Sequence, residues 1–203
     1  HTIHTLKKSK CFDKIIVTSD SKKILSVAKE NRVLTHFRTN PLHSNDYVMP
    51  ELPTMEIFEN IEKKKWPKYV FMAHCTSPFI KAGTFRSALS ILKKNPDGTV
   101  FAAHESHFFL WKENKLNKNK KNFLPISHPF KKRLGRQFMD KQINETGAFY
   151  GFKTENLMKY KHRFFSEAFP CIIKGIETID INDKDDWEYA EYIVKKNANK
   201  SKK

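Results

Sequence analysis

A chain of 203 residues has room for one domain, or one domain with a sizeable insertion, and its 39% apolar and 13% aromatic content is enough for a packed core. The formal net charge of +16 suits nucleic acid, an anionic surface or a small anionic substrate. The excess is mostly dispersed Lys, with little Arg, which argues against nucleic acid as the partner. The sequence contains no apolar run of about 18 residues, so no membrane span is expected. No apolar stretch follows His1, so no signal peptide is expected either, and the absence of an initiator Met leads to the expectation that the chain begins mid-protein. Three widely spaced cysteines, Cys11, Cys75 and Cys171, speak against a disulfide framework or a zinc ribbon and favour a cytoplasmic setting.

In chain order, residues 3–10 have the pattern of an amphipathic helix. Residues 14–18, rich in β-branched side chains, predict a buried strand that stops at Ser19-Asp20-Ser21. Those polar residues can cap a helix to about Glu30, with Ile24, Leu25 and Ala28 on its apolar face. A second short strand spans 33–37, followed by a loop over 38–52 and a helix over 55–65. Residues 68–73 are the strongest strand in the sequence and end at His74-Cys75-Thr76-Ser77-Pro78. A helix over 84–94 and a strand over 99–104 follow. This alternation predicts a largely parallel sheet with helices on both faces.

From Glu105 to Asp140 the pattern changes to an aromatic, basic stretch without helical period, read as an insertion of short strands or hairpins. A strand over 148–152, a short helix over 155–159, strands over 170–173 and 176–181, and a helix to about Lys196 complete the expected domain of residues 1–196. Residues 197–203 form a Lys-rich tail with the composition of a disordered end.

The segment Ile179-Asp180-Ile181-Asn182 draws attention because apolar and polar residues alternate in it. As a strand it would place Asp180 and Asn182 on one face, and polar groups at the carboxyl end of a strand are where α/β folds bind ligands. A hard cation such as Mg²⁺ takes oxygen ligands of this kind, usually one or two carboxylates plus phosphates. The plain alternative is a strand end followed by a helix cap built from Asp183, Asp185 and Asp186. Ser19-Asp20 and Thr76-Ser77-Pro78 fall at the ends of other expected strands, and residues 38–46 and 133–147 can fold over the same edge.

Taken in order, these pieces resemble the CMP-sialic acid synthetase (acylneuraminate cytidylyltransferase) family. Residues 12–20 match its second strand and following "S-T-D", Arg38 with Asp46 its "R-P … D" loop, and Thr76-Ser77-Pro78 its "T-S-P". Arg136-Gln137 with Glu145-Thr146-Gly147-Ala148-Phe149-Tyr150 matches "R-Q … N-G-A-x-Y", and Ile179 to Asn182 with Asp186 matches "I-D-I-D … D". The resemblance implies a Rossmann-like three-layer nucleotide-diphospho-sugar transferase fold with a small β-rich dimerisation insertion. It also implies transfer of CMP from CTP to an acidic nine-carbon keto sugar, with release of pyrophosphate, Mg²⁺ as cofactor and a homodimer as the working unit. By position, Asp180 would hold Mg²⁺, Arg136 the sugar carboxylate and Arg38 the nucleotide. Asp46, Thr76, Ser77, Gln137, Gly147 and Tyr150 would line the substrate site. Phe164 and Phe165 resemble an aromatic pair that reaches the sugar pocket across the dimer, or else they pack in the core.

Three departures bear on function. The family's opening strand and basic phosphate loop, "P-A-R-G-G-S-K-R-I-P-x-K-N", has no counterpart in this sequence, so the chain by itself is expected not to turn over CTP. Asn182 stands where the family has a second Asp. His74 and Cys75 replace Gln and Pro, and Thr146 replaces the Asn of "N-G-A", at positions that would read the sugar's substituents. These changes leave N-acetylneuraminic, legionaminic, pseudaminic and related nonulosonic acids open. An eight-carbon keto acid as substrate, or an inactive homologue serving as a partner subunit, are the competing readings.

Overall fold

The computed structural model describes residues 1–44, 48–59, 61–115, 121–131 and 135–200. The chain divides into two units: residues 1–103 with 146–203, and residues 104–145.

The first unit begins with helix α1 (Thr2–Ser9). Strand β1 (Ile16–Ser19), helix α2 (Lys22–Glu30) and strand β2 (Leu34–Phe37) then form a β–α–β unit, with β1 and β2 parallel and Ile16 opposite Leu34. Ser21 caps α2 by accepting from the Ile24 amide. Leu25 and Ala28 are buried as expected, but Ile24 is 52% exposed. The buried face of α2 is therefore rotated by about one residue from the expected one, and Val27 lies exposed with Ile24.

Helix α3 spans Glu51–Glu59, earlier than the expected 55–65, and a 3₁₀ turn at Lys63–Lys65 follows it. The early start is physically reasonable. Pro53 sits in the first turn, where no amide is needed for an intrahelical bond, and Glu51 faces the positive end of the helix dipole.

Strand β3 (Tyr69–Ala73), helix α4 (Ala82–Lys94), strand β4 (Thr99–Ser106), strand β7 (Gln142–Lys153), helix α5 (Thr154–Tyr160), strand β8 (Ala168–Ile172) and helix α6 (Lys184–Lys200) complete the unit; β5 (Trp111–Glu113) and β6 (Phe123–Pro125) belong to the other. The main sheet has the order β3-β7-β4-β8. Strand β4 runs parallel to β8, but β7 runs antiparallel to β3, with Tyr69 opposite Lys153 and Ala73 opposite Phe149. The sheet is thus mixed rather than largely parallel. Among the described residues β1 and β2 form a separate two-stranded sheet.

Apolar residues cover both faces of β7, whose stretch Ala148 to Phe152 is buried throughout. Phe149 turns to one face, against Phe85 of α4 and Phe71 of β3. Tyr150 and Phe152 turn to the other, against Phe164 and Phe165. A Cβ on Gly151 would lie 2.5 Å from the Phe71 ring, so the close packing of that ring requires glycine.

The expected strand over 176–181 is absent. A 3₁₀ helix occupies Gly175–Thr178, and residues 179–183 follow as an irregular extended segment. Among the described residues no neighbouring strand supplies a ladder there; the Ile181 amide instead donates to the Thr76 carbonyl at 2.8 Å. Helix α6 continues to Lys200, so residues 197–200 extend the helix beyond its expected end near Lys196. No helix among the described residues is long and apolar enough to cross a membrane.

In the second unit, β5 and β6 pair antiparallel, with Trp111 opposite Pro125. A 3₁₀ turn spans Arg136–Phe138. Trp111, Phe123, Phe130 and Phe138 are all largely exposed.

Candidate active site

The site grows from the end of β3. The His74 amide donates to the Ala148 carbonyl and continues the β3–β7 ladder by one bond. The chain then turns through Thr76-Ser77-Pro78 toward α4. Ser77 is buried, and its hydroxyl donates to Asp180 Oδ1 at 3.1 Å. Asn182 Nδ2 donates to Asp180 Oδ2 at 3.2 Å. Asp180 and Asn182 therefore share a side, as their alternation suggested, although they do not lie in a strand. The carboxylate of Asp180 is partly exposed, with one hydrogen bond on each oxygen.

Two further ties hold this segment. The Glu177 carboxylate is buried and accepts from the Lys81 amide at 2.8 Å and the Thr84 hydroxyl at 2.5 Å, and so caps the start of α4. Beyond Asn182, Asp183 and Asp186 form a reciprocal capping box: the Asp186 amide donates to Asp183 Oδ1 at 2.9 Å, and Asp186 Oδ2 accepts from the amides of Asn182 and Asp183. The helix cap thus falls on Asp183 and Asp186, while Asp180 and Asn182 remain the candidate site residues.

Beside this cluster lies a wall that sequence spacing did not reveal. Arg163 donates through Nε to Glu51 Oε1 at 2.7 Å and through Nη2 to Oε2 at 3.0 Å, and its amide adds a bond of 3.0 Å to Oε1. Its guanidinium lies 4.5 Å over the Tyr150 ring. The Phe164 ring meets Tyr150 edge-on at 5.9 Å and Phe101 at 5.6 Å, while His74 stands 6.1 Å from Tyr150 on another side. Phe165 packs on Phe152 and stacks on Tyr160. Both Phe164 and Phe165 thus pack within their own chain.

Burial pushes the Glu51 carboxyl up, but the bonds from Arg163 and the backbone outweigh it and hold the group below the ordinary range. Burial, with the Arg163 charge behind it, pushes the His74 imidazole down; Asp180 and Glu51 oppose the shift without reversing it.

Arg38 sits at the end of β2 and faces inward. Its guanidinium donates to the Thr18 carbonyl, the Thr18 hydroxyl and the His43 carbonyl, and so ties β1 to the 40–44 turn. His43 Nδ1 lies 2.5 Å from Glu56 Oε2, and His36 Nε2 lies 3.8 Å from Glu56 Oε1. Asp46 falls outside the described residues. Gly147 adopts φ +73° within β7, a backbone conformation that residues with a side chain rarely adopt, just before the buried stretch of the strand. Arg136 and Gln137 lie exposed on their 3₁₀ turn in the second unit. Thr76 is exposed and joins the cluster through its carbonyl.

Sequence reasoning missed Glu51, Arg163 and Glu177. Glu51 lay in a stretch rich in Pro, Asn and Ser that reads as loop. Its partner is 112 positions away, and no local pattern links them. The one available signal was an acidic residue between Pro50 and Pro53, at a plausible helix start.

A family model described as cytidylyltransferase matches residues 1–164. Pseudaminic acid cytidylyltransferase of Campylobacter jejuni serotype O:23/36 is 22% identical over 198 residues, which are 97% of this chain and 84% of that protein. The enzyme of the same name from C. jejuni serotype O:2 is 21% identical over the same shares. Among solved structures, CMP:2-keto-3-deoxy-manno-octonic acid synthetase complexed with CTP superposes with a TM-score of 0.64 at 11% identity, covering 96% of this chain and 87% of that one. The 4-diphosphocytidyl-2C-methyl-D-erythritol synthase of Anaerococcus prevotii gives 0.59 at 14% identity, with the same coverage. These likenesses establish the nucleotidyltransferase fold, and the family match over most of the sequence establishes that the chain belongs to the cytidylyltransferase family.

Proposed function

We propose that this chain serves the transfer of CMP from CTP to a nine-carbon 2-keto acid sugar of the nonulosonic class. The anomeric hydroxyl of the sugar attacks the α-phosphorus, a new P–O bond forms, the bond to the β-phosphate breaks, and the hydroxyl proton leaves to solvent or base as pyrophosphate departs. The observation that carries this reading is the Ser77–Asp180–Asn182 cluster in a chain of the cytidylyltransferase family. Pseudaminic acid is the first sugar to test, because the C. jejuni relatives act by name on that acid. Sialic and legionaminic acids are the alternatives within the class, and His74, Cys75 and Thr146 are the positions proposed to choose among them.

The cluster fits Mg²⁺. Each oxygen of Asp180 accepts one hydrogen bond, so lone pairs remain, and the amide oxygen of Asn182 is a second hard donor. Among the described residues no group of three acidic, His or Cys side chains could hold a metal, so substrate phosphates would complete the shell. When bound, the ion neutralises phosphate charge and eases departure of pyrophosphate. The protein's own part is to hold Asp180 in place through Ser77 and Asn182. Arg38 remains the proposed nucleotide contact and Arg136 the proposed partner of the sugar carboxylate. A homodimer formed through the aromatic second unit belongs to the same proposal, supported by the exposure of Trp111, Phe130 and Phe138. A reducing, cytoplasmic setting is supported by the free thiols of Cys11, Cys75 and Cys171.

The test is product analysis by mass spectrometry, using the full-length protein, CTP, Mg²⁺ and a panel of eight- and nine-carbon keto acid sugars. A CMP-linked nine-carbon acid with stoichiometric pyrophosphate is expected. A CMP-linked eight-carbon acid alone, or no CMP-sugar from any member, overturns the reading.

A further inference from the structure

Glu51 and Arg163 form a pair that core packing does not require. Glu51 is fully buried at the start of α3, and the Arg163 side chain is 18% exposed between α5 and β8. A buried ion pair of this kind adds little stability over apolar residues of the same volume. What it does supply is fixed geometry: a planar fork held by two side-chain bonds, with one face laid on Tyr150 at 4.5 Å. Phe164, the next residue, presses the edge of the same ring, and His74 stands beside it at the end of β3. The wall so formed is aromatic and polar, and the Arg163 charge is neutralised by Glu51. Tyr150 itself is buried, so what the wall offers a ligand is Phe164, the His74 imidazole and the edge of Arg163; aromatic and polar groups of this kind suit the C–H face and hydroxyls of a sugar ring better than a triphosphate, which calls for uncompensated cations.

We propose that the Glu51–Arg163 pair is a positioning device for the acidic-sugar half of the site, holding the Tyr150 ring and the His74 imidazole in the arrangement that accepts the sugar and thereby governing sugar affinity but not CTP affinity. The inference rests on the proposed transfer to a keto acid sugar. The charged and titratable groups that bear on His74 are Arg163, Asp180 and Glu51, and with burial they leave its ring neutral at neutral pH. A neutral imidazole donates from one nitrogen and accepts at the other, as recognition of hydroxyl or acylamino substituents requires.

The experiment is titration calorimetry of the chain with CTP–Mg²⁺ and, separately, with pseudaminic acid. Arg163→Lys keeps the charge opposite Glu51 but loses the fork and the flat face. It is expected to weaken sugar binding about tenfold or more and to leave CTP binding within about twofold. The double variant Glu51→Leu with Arg163→Met replaces the pair by apolar volume, so it should fold even where a single change does not. In it the His74 pKa, read by NMR of the imidazole, should rise, because Arg163 depresses it more than Glu51 raises it. Equal weakening toward both ligands, or toward neither, overturns the inference and leaves the pair structural. Binding of CTP by the unsubstituted chain without binding of any keto acid sugar overturns the proposed function itself, and this inference with it.

Discussion

The Ser77 hydroxyl donates to Asp180 Oδ1 at 3.1 Å across 103 positions of sequence, and this bond joins the turn after β3 to an acidic segment that lies in no strand. Because residues 179–183 lack a sheet ladder, the position of Asp180 depends on such individual bonds. Ser77→Ala should cost about 1 kcal/mol of stability. It should also weaken Mn²⁺ binding in the presence of CTP, read by paramagnetic relaxation of water protons. Unchanged Mn²⁺ affinity would show that Ser77 does not set the carboxylate.

Asn182→Asp tests the same cluster from the other side. The substitution removes the donor to Asp180 Oδ2 and places two carboxylates together. Without metal the variant should melt at a lower temperature through like-charge repulsion. With CTP it should bind Mg²⁺ about tenfold more tightly, since one further charged ligand joins the site. A metal titration that finds equal affinity rejects Asn182 as a ligand position.

Breaking the buried pair from one side should be severe. Arg163→Ala leaves Glu51 without its principal partner, and loss of about 3–5 kcal/mol is expected in urea unfolding. A loss below about 1 kcal/mol would place the pair among ordinary exposed ion pairs.

The same pair gives the acid limb of stability a sign. The Glu51 carboxyl is held below its ordinary value of 4.5, as is that of Glu56 by its bond to His43. A depressed folded-state pKa adds stability that is fully present above the unfolded value and is lost as pH falls through the folded one. The stability gap between the unsubstituted protein and Glu51→Gln should therefore be constant above about pH 5 and should shrink below it. A gap that widens on acidification would contradict the assigned direction.

Glu177→Ala should act on two places at once. It leaves the Lys81 amide without its cap and the Thr84 hydroxyl without its acceptor, at a cost of about 1–3 kcal/mol. It also frees the turn that precedes Asp180. Hydrogen exchange should speed up at the start of α4 and through residues 179–183 together; acceleration confined to α4 would separate Glu177 from the site.

Much of this arrangement was readable in the residues themselves. The β-branched run before Ser19, the apolar strand before His74 and the cap at Ser21 are written in neighbouring positions, and each produces its element close to the expected place. The side shared by Asp180 and Asn182 was also readable, since alternation persists in any extended backbone. Misplaced elements have local causes that compete evenly. Pro50 and Pro53 read as loop, yet a proline in the first turn is compatible with a helix, and α3 begins there. Ile176 to Ile181 reads as strand, yet a strand forms only where a neighbouring backbone completes its hydrogen bonds. Here Thr76 and the Asp186 cap take those bonds instead.

The sequence by itself therefore determined most of the elements in their order, the cytidylyltransferase family at its coarse level and the candidacy of Ser77 and Asp180, because periodicity and capping are set by residues close together and motif order is carried along the chain. Tertiary structure alone decided that β7 runs antiparallel to β3, that Arg38 turns inward onto Thr18, and that Glu51 meets Arg163 over the face of Tyr150. The physical reason is range. A charge buried at position 51 is tolerated only because a planar cation 112 residues later is brought to it by the fold, and no local preference of either residue encodes that meeting.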